Sequence, residues 1–349
     1  MSGNQKQTHR NSIGIIMKQK IAFVGCAHIH TPYFVNCLKQ RQDEFSVAAL
    51  WDHDSTRAQK NAEAFDSAVI MSPGEIFSDP SIKSVVIASE TNLHKDLVLE
   101  AAKAGKNLFV EKPLGYSASD AREMANAIKS AGVIFQTGYF MRGNPIHLFL
   151  REQIASGSFG HITRIRHTNC HAGSLGGWFD TDWRWMADPE QSGVGAFGDL
   201  GTHSLDIMMW LIGRPLRVAA VIKTITGRYG ANCDESGEAL LEFSDNLIGS
   251  LAGGWVDVSN PVSCEICGTE GHAVVFNGDL YFQSNLVPGA DGKIPWKNLP
   301  AGWPHAFILY LDALTGKKVE LVSVEEAAQR CEIMTAIYEA ARTQTWQRC

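Results

Sequence analysis

At 349 residues the chain is long for a single domain, and two domains are the better expectation. Hydrophobic residues at 45% and charged residues at 19% are the balance of a globular protein with a large buried core. A net charge of −6 leaves no basic footprint for nucleic acid, and no apolar run is long enough to span a membrane, so neither partner is expected.

Met1 to Lys20 is polar, without a twin arginine or a long apolar core, so no signal peptide is expected. Residues 1–19 read as an extension with little role in the fold. The eight scattered cysteines, several in apolar runs, suit a reduced, cytoplasmic protein. Strands and helices then alternate. Ile21–Gly25 reads as a buried parallel strand, Thr31–Gln40 as a helix with Pro32 in its first turn, and Ser46–Trp51 as a strand ending at Asp52. Strands at Val85–Ala88 and Asn107–Val110 flank a helix over Asn92–Ala104 that Gly105 closes. A helix over Ser117–Ala131, with Ser117 and Asp120 placed as its cap, leads to a strand at Val133–Phe135. The pattern predicts a doubly wound parallel sheet, an α/β domain over residues 20–143.

In such a sheet the first strand-to-helix turn receives a dinucleotide phosphate. Here Gly25-Cys26-Ala27-His28-Ile29-His30 keeps the first glycine, with Ala27 and His30 in the second and third glycine positions. Asp52, at the end of the second strand, would accept hydrogen bonds from an adenosine ribose and repel a 2′-phosphate, which favours NAD over NADP. His28 and His30, two apart, also invite a metal ion. Alternating residues share a direction only in an extended segment, so lining the cofactor pocket is the preferred role and no metal is expected.

A helix over Ile146–Ala155 opens residues 144–349, where the pattern changes. Strand-like segments follow at His161–Thr168, Leu216–Thr226, Glu238–Phe243, Leu247–Val256, Ser263–Gly268, His272–Phe276 and Leu280–Phe282. Hairpin turns fall at Asp245-Asn246 and Asn277-Gly278. The result is an α+β domain with an open, mainly antiparallel sheet, one face on the ligand and the other on a second subunit of a homo-oligomer. Cys264-Glu265-Ile266-Cys267 has metal-like spacing, but it lies on a strand and has no second pair, so a place in the core is expected. Helices at Pro304–Leu314 and Val324–Ala341, the second with a Ser323–Glu326 capping box, close the chain and can return to the first domain.

Two stretches carry chemistry. His171 to Gly198 interleaves glycines with Trp178, Trp183, Arg184 and Trp185, and indole faces stack on the C–H faces of a pyranose. Packing of these tryptophans against the sheet is the plain alternative. Asp199 and His203 are four apart at the start of a helical pattern, so they share a face one turn apart. With Lys112 of Glu111-Lys112-Pro113 they form the set that proton transfer at a sugar hydroxyl needs. Taken alone, the segment also fits a capping aspartate and a buried histidine. His167, Cys170 and His171 could join His203 as a metal set, but no carboxylates for a hard cation share that face.

Gly25, Asp52, Thr91-Asn92-Leu93-His94, Glu111-Lys112-Pro113, Gln136-Thr137-Gly138-Tyr139-Phe140-Met141-Arg142 and Asp199 with His203 together resemble the Gfo/Idh/MocA family of nicotinamide-dependent sugar and polyol dehydrogenases. The resemblance covers nearly the whole chain from Lys20 and implies a Rossmann domain followed by an open-sheet domain. It implies NAD contacts from Gly25, Ala27, His28, Ile29, His30, Asp52, Ser89, Thr91, Asn92, His94, Glu111, Lys112 and Gln136, with a cis Lys112–Pro113 peptide. Lys112, Asp199 and His203 would be catalytic, and the substrate would also meet Tyr139, Arg142, His171, Trp178, Trp183 and Arg184. In that group His203 is the general base, Lys112 steadies the developing oxyanion and Asp199 orients. The His28-Ile29-His30 variant and the Trp-rich loop are most similar to the glucoside 3-dehydrogenases and C-glycoside 3-oxidases, which implies oxidation at C3 of an O- or C-linked glucoside. Inositol or anhydro-sugar dehydrogenase is the alternative within the enzymes, and a non-catalytic NAD-binding sensor is the alternative outside them.

Overall fold

The computed structural model describes residues 18–349, so most of the expected extension lies outside the described residues. Eleven elements follow in the first half: β1 (Gln19–Cys26), α1 (Thr31–Gln40), β2 (Phe45–Trp51), α2 (Ser55–Phe65), β3 (Ala68–Val69), α3 (Pro73–Ser78), β4 (Ser84–Ala88), α4 (His94–Lys103), β5 (Asn107–Val110), α5 (Ala118–Ala131) and β6 (Phe135–Thr137). The strands pair in parallel in the order β3-β2-β1-β4-β5-β6. Strand order reverses between β1 and β4, so a ligand crevice opens above their carboxyl ends. Helices cover both faces, which is why Ile21–Val24 and Val85–Ala88 are wholly apolar and fully buried. Helix α2 left little trace in the sequence because it buries only Ala58 and Ala62. Strand β6 lies two residues later than the apolar run suggested, since Val133 and Ile134 only lead into it.

The second half contains α6 (Pro145–Ala155), β7 (Ile162–Cys170), α7 (Pro189–Ser192), α8 (Ala196–Leu211), β8 (Arg217–Lys223), β9 (Ser236–Glu242), β10 (Ile248–Gly254), β11 (Val262–Gly268), β12 (Gly271–Phe276), β13 (Asp279–Ser284), α9 (Ala306–Leu314), α10 (Val324–Thr343) and β14 (Gln347–Arg348). Its eight strands form one sheet in the order β13-β12-β11-β7-β10-β9-β8-β14. The pairings are antiparallel except that of β7 with β10. Both expected hairpin turns form, with left-handed backbone at Asp245, Asn246, Asn277 and Gly278. Helix α8 lies across the sheet, packing Phe197, Leu205 and Met208 with Ile165, Leu251 and Ile266. The two cysteines of the expected core pair part company: three apart on a strand, they face opposite sides, and Cys267 is half-buried on the outer face while Cys264 is buried.

The last two helices tie the halves together. Phe307, Tyr310 and Leu311 of α9 pack with Phe23, Phe34 and Phe109 on one face of the first sheet. Helix α10 gives Ala327, Ala328 and Cys331 to the other face, and Ile333, Met334 and Ile337 to the core of the second half. Among the described residues no helix is long and apolar enough to cross a membrane.

Candidate active site

The site begins where β1 turns into α1. Gly25 has φ +86°, and a Cβ there would come within 2.4 Å of the Ser89 Cβ, so only glycine lets this turn approach the end of β4. Ala27, His28, Ile29 and His30 then lead to the N-terminus of α1, whose dipole favours an anion. Asp52 stands at the end of β2 as expected, but it is already engaged. Its oxygens accept from the backbone N–H of Cys26 at 2.8 Å and of Asp54 at 2.9 Å. Arg57 adds two further bonds at 2.8 and 2.7 Å and reaches Glu90 at 2.8 Å, so a ribose hydroxyl must compete with this guanidinium. A cavity of about 300 Å³ runs along this crevice, lined by Cys26, Ala27, His28, Arg57, Lys60 and Trp183 among others.

Deeper in, Lys112 follows the end of β5 and places its Nζ 2.6 Å from Asp199 Oδ1 on α8. The other Asp199 oxygen accepts the indole N–H of Trp255 at 3.0 Å. Burial would raise this carboxyl, but the Lys112 ammonium beside it outweighs burial and brings it down to about 2. His203 is buried one turn further along α8, and its Nδ1 has no partner among the described residues. Burial and then the Lys112 charge hold its imidazole well below the usual range, so it is neutral at pH 7. A neutral imidazole with an unclaimed nitrogen, one turn from a fixed lysine–carboxylate pair, can accept the proton of a hydroxyl. Phe140 and Tyr139 wall it, with ring centres 5.2 and 5.9 Å away. His28, Thr91, Lys112 and Asp199 share one cleft with Trp185 and Met186. His171 feels the charges of Asp199 and Lys112, and its ring lies 4.7 Å from that of Trp178, which is 48% exposed. The Lys112–Pro113 peptide is cis.

Several of the residues expected to touch cofactor or substrate also make contacts that hold the frame. Tyr139 is buried and bonds Thr202 through its hydroxyl at 2.9 Å. Arg142 is buried against Asp206 of α8, where Arg330 of α10 also binds, and it reaches Glu326 as well. Arg184 donates to the Ala187 carbonyl and lies over the Tyr229 ring. Trp183 lines the crevice of Ala27, His28 and Arg57. Trp185 donates its indole N–H to the Ala27 carbonyl at 2.9 Å, fastening the aromatic loop to the phosphate turn. Ile29 packs into that aromatic cluster. His94 sits buried between the carbonyls of Leu114 and Ser89, while the Ser89 hydroxyl turns back to Glu90. Gln136 accepts from the backbone of Thr137 and Val322, and Asn92 reaches the Glu190 carbonyl. His167 bonds Ser204 and His147, so it forms no metal set with His203.

Three further residues shape the site. Trp255 fixes Asp199, as above. Asp234 accepts from Phe197 at 2.7 Å and Gly195 at 3.0 Å, capping α8 from a distant loop. His305 stacks on Phe140 at 5.1 Å and lies 6.3 Å from the His30 ring. Nothing local in the sequence signals any of them, because each acts on a residue far along the chain.

Residues 19–139 match the family described as "Oxidoreductase family, NAD-binding Rossmann fold", and residues 147–274 match the "GFO/IDH/MocA C-terminal domain". Levoglucosan dehydrogenase of Pseudarthrobacter phenanthrenivorans is 28% identical over 225 residues, which span 58% of this chain and only 57% of that protein. D-glucoside 3-dehydrogenase of Escherichia coli is 24% identical over 351 residues, spanning 93% of this chain and 96% of that one. The solved structure of levoglucosan dehydrogenase in complex with NADH and levoglucosan shares the fold, with a TM-score of 0.80 at 20% identity over 95% of this chain and 99% of that chain.

Proposed function

The chain belongs to the Gfo/Idh/MocA oxidoreductase family, and from that membership we propose that it oxidises a secondary hydroxyl of a sugar ring with NAD, at C3 of a glucoside. The observation that carries this reading is the Lys112–Asp199 pair at 2.6 Å with neutral His203 one turn along α8. NAD, when bound, supplies the ring carbon that takes the hydride. Lys112, fixed by Asp199, donates to the reacting oxygen and stabilises its growing charge. His203, neutral at pH 7, takes the hydroxyl proton on its imidazole ring. Asp199, held from behind by Trp255, keeps Lys112 in position. A non-catalytic sensor would have no use for this proton-transfer set.

Trp178 and His171 form an aromatic lip beside the pair, suited to a pyranose face or an aglycone. Near full-length similarity to D-glucoside 3-dehydrogenase supports a glucoside. Anhydro-sugar oxidation is the second reading, favoured by similarity to levoglucosan dehydrogenase in both sequence and fold. All eight cysteines are free, in keeping with the reducing cytoplasm. The outer face of the open sheet exposes Val221, Leu240 and Ile248, where a second copy would pack in a homo-oligomer.

The deciding experiment incubates the protein with NAD and, in turn, an aryl glucoside, levoglucosan and inositols, and locates any new carbonyl by NMR. A 3-keto glucoside is expected. Oxidation of levoglucosan alone moves the enzyme to the second reading, and no NADH from any of them overturns both.

A further inference from the structure

The phosphate turn departs from the glycine pattern at Ala27 and His30, and the proton-transfer group makes no use of His28, His30 or Glu111, which the resemblance placed beside the cofactor. These three side chains converge. His30 Nδ1 lies 3.0 Å and His28 Nδ1 3.7 Å from the same Glu111 oxygen. One ligand-capable atom from each lies within 4.8 Å of the other two. Spacing argued against a shared ion, because residues two apart face together only in an extended strand. The turn overrides that rule: it brings the two rings to 4.6 Å and aims both at the end of β5, which supplies the carboxylate.

Charge points the same way. Glu111 is fully buried, and among the described residues its only ion-pair partners are these two histidines. The nearby Lys112 ammonium is committed to Asp199 at 2.6 Å. A buried carboxylate with no lysine or arginine paired to it is costly unless a cation joins it.

We propose that His28, His30 and Glu111 bind a divalent transition-metal ion of the zinc class. Two imidazoles and one carboxylate are a set that zinc accepts while keeping a fourth position open. Bonds of about 2.0–2.2 Å in a tetrahedral site put ligand atoms about 3.4 Å apart, a spacing bracketed by the observed 3.0 and 3.7 Å. The ion staples the glycine-poor turn to β5. His28 also borders the cleft of Thr91, Lys112 and Asp199, so the open position is available to a phosphate or substrate oxygen. A second group, Glu265, Cys267 and His272 on the outer sheet face, is the weaker candidate, because the Arg164 guanidinium already lies 3.3 Å from the Cys267 sulfur.

The test strips the full chain with a chelator, then titrates zinc by calorimetry and cobalt by visible absorption. Neither readout needs turnover, so the result is independent of the sugar reading. One ion per chain is expected, bound at least about tenfold more weakly in His30→Ala and Glu111→Gln and unchanged in His272→Ala. Melting curves without metal confirm folding. If Glu111→Gln does not fold, the partly exposed His30 decides through His30→Ala and His30→Gln. No binding by the parent, binding indifferent to the His30 and Glu111 changes, or loss only in His272→Ala would overturn the proposal.

Discussion

Trp255→Phe removes one N–H and keeps an aromatic ring, so it isolates the bond that holds Asp199 from behind. Asp199 has two such restraints, Lys112 at 2.6 Å and Trp255 at 3.0 Å. A hydrogen bond to an ionised group contributes about 1.5–3 kcal/mol, which equals about one to two pH units on the carboxyl. The folded Asp199 sits at about 2, below its unfolded value. Its ionised form therefore stabilises the fold fully above about pH 4, and that contribution disappears as the pH falls through about 2. Losing the indole N–H weakens the ionised form, so the acid limb of kcat/KM moves upward by about one to two pH units. At pH 7 the carboxylate stays ionised, and the loss there is in the placement of Lys112. If about half of the bond energy is felt in the transition state, kcat/KM falls about four- to twelvefold. The assay is kcat/KM against pH for parent and variant, with melting temperature recorded at each pH to separate unfolding from titration. An acid limb that does not move, together with unchanged kcat/KM at pH 7, would refute the view that Trp255 supports the catalytic carboxylate.

His203→Ala and Lys112→Ala should each lower turnover by about a hundredfold or more with NAD binding retained; near-normal turnover in folded His203→Ala protein removes that residue from the role of base. Asp52→Ala should raise affinity for NADP relative to NAD in a fluorescence titration, since it releases Arg57 to meet a 2′-phosphate. An unchanged ratio contradicts the ribose-edge assignment. Asp206→Ala leaves Arg142 and Arg330 buried with only Glu326 beside them and should cost about 3–5 kcal/mol, a melting point several degrees lower. Arg142→Ala should likewise reduce stability while leaving the substrate KM near the parent value; a large KM increase at parental stability would return Arg142 to the substrate.

What the sequence by itself determined was local. Strands β1, β2, β4 and β5 showed as apolar runs because a parallel strand covered on both faces has no polar side to display. The start of α5 was legible in Ser117, which accepts from the Asp120 N–H, and that of α10 in the reciprocal Ser323–Glu326 box. The four-residue spacing of Asp199 and His203 placed both on α8 before any partner was known. Only the tertiary structure decided what those side chains meet. Lys112 and Asp199 are 87 residues apart, Trp255 and Asp199 are 56 apart, and the cap on α8 comes from Asp234. The aromatic loop shows the division most plainly. Trp178, Trp183 and Trp185 look equivalent in sequence, yet one stands exposed beside His171, one lines the cofactor crevice and one is locked to the Ala27 carbonyl. Periodicity and capping act within a few residues, so they are written in the chain. The partner of a side chain is set by strand order and by the helices that return to cover the sheets, and no single segment contains that information.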